Sequence, residues 1–142
     1  MKIYVAASFV SRERLRPIRD KLWAMGHEVV SSWLDEVAKP SPMTQDEFYK
    51  KLAMKDIAEL MSADMVICDL GDKSTSGGRD TELGLALGSF AKKQVYLVGT
   101  PTSVFHRLVD RVYYTWDALL EDMPRRSDRP VHRQAVPAPD TA

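Results

Sequence analysis

Apolar and polar positions along this chain fall into blocks that switch between strand-like runs and helical spacing. Lys2 to Ala7 is apolar and β-rich. The polar turn Ser8-Phe9-Val10-Ser11 follows, and Arg12 to Met25 then carries Leu15, Ile18 and Leu22 at helical intervals. Gly26 closes that helix by supplying a left-handed end residue, and His27 to Trp33 reads as a second strand. Pro40 to Pro42 marks a loop. Thr44, with Glu47 three residues on, is the capping box of a helix running to about Ser62, with Phe48, Leu52, Ile57 and Leu60 as its apolar positions. Asp64 to Leu70 is a near-continuous apolar run, the pattern of a strand buried on both faces of a parallel sheet. Small polar residues from Gly71 to Gly78 lead into a helix over about Arg79 to Ala91, and Gln94 to Val98 is a fourth strand. A helical turn at Val104 to Val109, a short strand at Val112 to Tyr114 and a closing helix at Trp116 to Glu121 complete the pattern.

Strand and helix alternating at this spacing predict an α/β fold, with a parallel sheet covered by helices on both faces and right-handed crossovers. The 142 residues suffice for one domain, expected over 1–123. Beyond Met123 the chain is Pro, Arg, Asp and Ala with few large apolar residues, so 124–142 is expected to be disordered or ordered only by a neighbour. Lys+Arg and Asp+Glu both number 20, which gives no net positive field for a polyanion and argues against a nucleic-acid partner. The lone Cys68 lies in an apolar run and suits a reducing compartment. The N-terminal apolar run is too short for a signal or a membrane span, so a cytoplasmic protein without a membrane partner is expected. Three scattered histidines without carboxylate or cysteine spacing give no metal site, and no cofactor is expected. His27 and His106 are read as structural.

In an open parallel sheet, ligands bind outside the carboxyl ends of the strands. Three segments meet that condition: Ala7 to Arg12, Trp33 to Glu36 and Asp69 to Glu82. The last places Ser74, Thr75, Ser76, Gly77 and Gly78 before a helix whose first turn is expected to hold Asp80 and Glu82. Free N–H groups at that helix end would keep Glu82 ionised, and an ionised carboxylate beside a sugar carbon can act as a nucleophile. Asp69 and Asp72, on the same edge, could supply a second acid/base or hold a sugar hydroxyl. Pattern alone favours a structural role for Glu82 and Asp80, since first-turn acids complement any helix dipole. The glycine-rich loop fits neither the dinucleotide fingerprint nor the P-loop.

The segment Gly77-Gly78-Arg79-Asp80-Thr81-Glu82-Leu83-Gly84-Leu85-Ala86 resembles the G-x-x-x-E-[LFI]-G-x-A signature of the nucleoside 2-deoxyribosyltransferase family. Lys2 to Ala7, Gly26 to Val29, Ala63 to Ile67 and Lys93 to Gly99 fall in that family's order, so the resemblance spans about Lys2 to Leu120. It implies a flavodoxin-like three-layer sandwich with a parallel sheet of about five strands, assembled as a homodimer or higher homo-oligomer. It also implies a small-molecule nucleoside or nucleotide as ligand and Glu82 as the nucleophile that displaces the base and holds the sugar as a covalent ester. Asp69 looks like the family's sugar- or base-holding carboxylate. Ser8, Phe9 and Arg12 would face sugar and base, Trp33 could stack on a base, and Ser76 and Gly78 could hold the ligand's 5′ end. For Phe9 and Trp33 ordinary packing is the alternative.

The ester could be released by a second base, giving transfer, or by water, giving hydrolysis. Transfer of a deoxyribosyl group is the preferred reading, with hydrolysis of nucleoside 5′-monophosphates as the alternative and a non-enzymatic nucleotide-binding module as the second. Ser8, Ser11, Arg12, Arg14, Ser74, Thr75 and Ser76 would make a phosphate pocket, or form ordinary turns and a solvated helix face. The turn after the first strand lacks the tyrosine seen in many of the transferases, which counts against free nucleosides.

Overall fold

The computed structural model describes residues 1–36, 38–73 and 76–123. The expected tail and the pair Ser74 and Thr75 lie outside the described residues.

Five parallel strands form one sheet in the order β2-β1-β3-β4-β5. They are β1 (Lys2–Ala6), β2 (Glu28–Val29), β3 (Met65–Asp69), β4 (Gln94–Val98) and β5 (Arg111–Tyr113). Their helices are α1 (Arg12–Ala24), α2 (Gln45–Ser62), α3 (Gly78–Leu87) and α4 (Trp116–Asp122). This is the helix-covered parallel sheet expected from the alternation, and the three-layer flavodoxin-like sandwich that the resemblance implies. β3 is buried at every position, as its unbroken apolar run requires of a central strand.

Register sets which side chains share a face. Tyr4 pairs with Val66, which pairs with Val95, and strand alternation puts Ile67 and Asp69 on the other side of the sheet. The Tyr4 face packs against α2 and α3. On the opposite face Asp69 is joined to Arg14 of α1 and Trp116 of α4. Leu15 and Leu22 of α1, Leu60 of α2, Leu83 and Ala86 of α3 and Leu119 of α4 are the buried side chains that fasten each helix to the sheet.

Three local expectations change. The second strand ends after Val29, and Ser32–Asp35 turns into a 3₁₀ helix that carries Trp33 and Leu34 into the core. The helix after the glycine-rich loop stops at Leu87, with Gly88 as its cap. Most telling is α2, whose capping box forms as predicted but whose inward face differs. Ile57 is exposed, together with Met54 and Met61, while Lys55, Asp56 and Glu59 sit half-buried between Leu52 and Leu60. Charge has been placed where the periodicity would have put hydrocarbon.

Candidate active site

Glu82 lies in the second turn of α3, its helix entered through Gly77, whose φ of +77° is open to glycine at little cost. Only Asp80 stands in the first turn. The side chain of Glu82 faces Tyr4 of β1, with Asp56 and Glu59 of α2 nearby. Burial therefore dominates over the helix end: it pushes the Glu82 carboxyl up to about 7, against a partial lowering by the Tyr4 hydroxyl, and the charges of Asp56 and Glu59 add to the rise. The expectation of a helix end that keeps Glu82 ionised is thus reversed. Asp56 is raised too, to about 6, by burial and by Glu59 and Glu36, although Lys55 pulls the other way. Burial and then the Glu82 and Asp56 charges push the Tyr4 phenol far up, so it keeps its proton.

Three buried atoms of this group have no hydrogen-bond partner: the Tyr4 hydroxyl, Oδ1 of Asp56 and Oε2 of Glu82. Tyr4 is close enough to Glu82 for each to shift the other's titration, yet the pair falls short of hydrogen-bond geometry, so both oxygens stay open. Buried polar groups are nearly always satisfied, because an orphan costs about 1–3 kcal/mol. Three orphans together, one a carboxyl whose pKa is raised by burial, have the character of a site shaped for a polar ligand.

The segment after β2 is held beside this group by charged clamps. Glu59 accepts from the Ser32 hydroxyl at 2.9 Å and from its backbone N–H. Lys55 reaches Glu36 at 2.6 Å. From α1, Arg12 donates to the Glu36 carbonyl at 3.0 Å and Arg16 to the Leu34 carbonyl at 2.8 Å. Trp33, expected to be available for stacking, is 7 % exposed, and its indole N–H donates to the Val5 carbonyl at 2.8 Å. It is a core residue with a satisfied polar end. Phe9 is 55 % exposed, tilted against Trp33, and has the Arg12 guanidinium over its ring at 4.0 Å. Ser8 is buried in the same turn, and Ser76 and Gly78 are exposed at the start of α3.

Asp69 departs furthest from its expected role. It is 1 % exposed, and its two oxygens accept four hydrogen bonds: two from Arg14 at 3.0 and 2.7 Å, one from the Gly71 N–H at 2.8 Å and one from Trp116 at 2.6 Å. Fully committed in this way, it braces α1, α4 and the loop after β3 rather than offering a free carboxylate. A Cβ at Gly71 would come within 2.7 Å of the Arg14 guanidinium, so a side chain there would push on the Arg14–Asp69 pair. Asp72 is likewise engaged, accepting from Ser11 and Arg14, which hold its carboxyl below the usual range. A cavity of about 510 Å³ lies along the face of α3 opposite Glu82, lined by Arg79, Asp80, Leu83, Thr102, Ser103 and His106. His106 accepts there from the Thr102 and Ser103 N–H groups, a capping role.

Sequence reasoning passed over Tyr4, Asp56 and Glu59. Tyr4 stands inside β1, its hydroxyl buried. Its signal was a phenol amid the otherwise aliphatic run Ile3, Val5, Ala6; that of α2 was charge at inward helical spacing with Met54, Ile57 and Met61 outward. Among the described residues no group of three His, Cys, Asp or Glu is placed to hold a metal ion, and no helix is long and apolar enough to cross a membrane.

No protein-family model matches the sequence, and no curated protein matches it. Solved structures do share its fold. A 2-deoxyribosyltransferase from Bacillus psychrosaccharolyticus superimposes with a TM-score of 0.70 at 19 % identity, over 84 % of this chain and 90 % of that one. A CMP N-glycosidase from Clostridium botulinum gives 0.56 at 17 % identity, over 85 % and 96 %. A conserved protein from Enterococcus faecalis V583 gives 0.64 at 16 % identity, over 86 % and 96 %. At these identities the likeness is one of fold.

Proposed function

We propose that this chain cleaves the N-glycosidic bond of a 2′-deoxynucleoside and passes the deoxyribosyl group to a second base through an ester on Glu82. The observation that carries the reading is the unpaired trio of Glu82 Oε2, Asp56 Oδ1 and the Tyr4 hydroxyl buried together. In the proposed first step the ionised Glu82 carboxylate attacks C1′ and the C1′–N bond breaks. The departing base keeps the electron pair and takes a proton from Asp56, whose carboxyl, raised to about 6, carries one on the acid side of neutrality. Tyr4, always protonated, donates to the Glu82 carboxylate before attack and favours its ionised form. A second base then attacks C1′, the ester bond breaks, and the incoming base's proton returns to Asp56, so the enzyme ends as it began.

Ser8, Phe9, Arg12, Ser76 and Gly78 remain proposed ligand contacts around this centre, and Asp69 is assigned to bracing it. The fold shared with a CMP N-glycosidase favours a second reading, in which water releases the sugar from a nucleoside 5′-monophosphate. Incubating the protein with a deoxynucleoside and a free acceptor base, and separately with deoxynucleoside monophosphates, separates the two by chromatography. Base exchange supports transfer, and free base from a monophosphate supports hydrolysis. No product from either, with ligand affinity intact in Glu82→Ala, would leave a nucleotide-binding module. We also propose that the chain self-associates, with the outward row Met54, Ile57 and Met61 of α2 as the apolar surface covered. Light scattering at micromolar concentration tests this, and a monomer would overturn it.

A further inference from the structure

The cavity of about 510 Å³ between α3 and the segment after β4 takes no part in the chemistry proposed for Glu82, which stands on the other side of α3. Gly84 of α3 lines it, as do Phe105 and His106 of the 3₁₀ helix Val104–Leu108. Arg79 and Asp80, from the first turn of α3, bring a charge of each sign to the same lining.

His106 is 4 % exposed. Its Nδ1 accepts from the Thr102 N–H at 3.0 Å and the Ser103 N–H at 3.1 Å, so the ring proton sits on Nε2. That Nε2–H finds no acceptor among the described residues and is left to the cavity that His106 lines. Burial holds the ring below its usual pKa, so it is a neutral donor near neutrality. The Arg79 guanidinium, 12 % exposed, commits Nη1 to the Asp72 carbonyl at 2.7 Å, while its Nη2 has no partner among the described residues. Its Nε lies 3.4 Å from Oδ1 of Asp80. Uncommitted N–H groups and a carboxylate thus stand side by side at one cavity, and buried donors of this kind are ordinarily satisfied.

Gly84 adds an open wall. Glycine inside a helix lowers its stability relative to alanine, yet a Cβ here would meet no atom within 4 Å. Packing among the described residues does not ask for the missing side chain, and the space it leaves belongs to the cavity.

The charges of Arg79 and Asp80 cancel, which favours a neutral guest over an anion. The free donors require carbonyl oxygens, and Asp80 requires an N–H beside one of them. The bare Gly84 backbone and the Phe105 ring favour a flat molecule. We propose that this cavity is a second ligand site, which takes a neutral planar cyclic amide. Its adjoining C=O and N–H meet Arg79 and Asp80, a further carbonyl accepts from His106 Nε2–H, and its ring lies against Gly84 and Phe105.

Uracil is the probe, since it carries that edge and a second carbonyl. Full-length protein with isotope-labelled backbone amides and histidine rings is titrated with it by NMR. Saturable shifts are expected at the Gly84 amide and at His106 Nε2, with half-saturation on the order of 1 mM for so small a ligand. The N,N′-dimethyl derivative, which keeps both carbonyls and has no N–H, should bind about tenfold more weakly, and benzoate, flat but anionic, no better than that. Gly84→Leu fills the cavity from a position free of clashes; it should keep the parent's circular dichroism and weaken uracil about tenfold or more. His106→Asn leaves an acceptor for the Thr102 and Ser103 N–H groups, removes the Nε2 donor and should weaken uracil by a similar factor. Shifts that do not saturate at Gly84 and His106, or that are confined to Tyr4, Asp56 and Glu82, would overturn the proposal. So would undiminished binding in a folded Gly84→Leu protein, or benzoate binding more tightly than uracil. Shifts that follow protein concentration instead of uracil would overturn it too, by making a second copy of the chain the occupant. Because binding is read at Gly84 and His106 and not by turnover, failure here leaves the reading of Glu82 intact, and failure of that reading leaves this site intact.

Discussion

Replacing Glu82 by Gln should stabilise the protein, and by an amount that depends on pH. The fold raises the Glu82 carboxyl from 4.5 to about 7, mainly through burial. At about 1.4 kcal/mol per pH unit, holding that carboxylate ionised costs about 3 kcal/mol, and its residual solvent access brings the expected figure nearer 2 kcal/mol. Folding favours the protonated form. Below pH 4.5 both folded and unfolded chains carry the proton and nothing is lost. Between 4.5 and 7 the unfolded chain releases it while the folded chain retains it, so stability falls as pH rises, and above 7 the full cost is in place. Glutamine, neutral and of the same shape, escapes all of it. The melting temperature of Glu82→Gln should therefore match the parent near pH 4.5 and exceed it by roughly 8 °C at pH 8. Thermal melts across this range, followed by circular dichroism, provide the assay. A difference that stays flat with pH, or a variant less stable than the parent at pH 8, would refute the claim that burial of this carboxylate is opposed by the fold.

Other expectations follow from the same geometry. Because Glu82 must be ionised and Asp56 protonated, base exchange should follow a bell-shaped pH profile that peaks between about 6 and about 7, its Glu82 limb marking the ionisation needed for attack. Tyr4→Phe removes the group that lowers the Glu82 pKa, so kcat should fall about tenfold and that limb should move to higher pH. Asp56→Asn removes a charge that raises Glu82 and the proton donor to the base. Its rate should drop about 10²- to 10⁴-fold while the limb moves to lower pH, a pair of effects readable from one pH–rate profile. Asp69→Asn should instead act on the fold. Loss of the bidentate pair with a half-exposed Arg14 is expected to cost about 2–3 kcal/mol in urea denaturation. A folded Asp69→Asn protein whose kcat collapses without loss of stability would return Asp69 to the chemistry.

The order of strands and helices was readable because each element carries a pattern that its burial enforces: β3 is apolar throughout because both of its faces are covered, and Thr44 with Glu47 announces α2. The site was legible only where a local motif marked it, at Glu82. Its partners come from a strand and a helix distant in sequence, and the register that puts Tyr4 opposite α3 is a property of the sheet. The same distance hid the opposite error at Asp69. A carboxylate at a strand's carboxyl end invites a catalytic reading, and only the approach of Arg14 and Trp116 from two helices shows its oxygens already taken. For Trp33, the clamps of Arg12 and Arg16 on the following segment turn an expected strand end into a 3₁₀ turn facing the core.

The central claim is that Glu82 bonds to the sugar. An acid-quenched reaction with a deoxynucleoside in the absence of acceptor base, digested and read by peptide mass spectrometry, tests it most directly. The account predicts a deoxyribosyl adduct on the peptide bearing Glu82, lost on adding acceptor base and absent from Glu82→Gln. Base release that continues in Glu82→Gln, or an adduct on another residue, would contradict it.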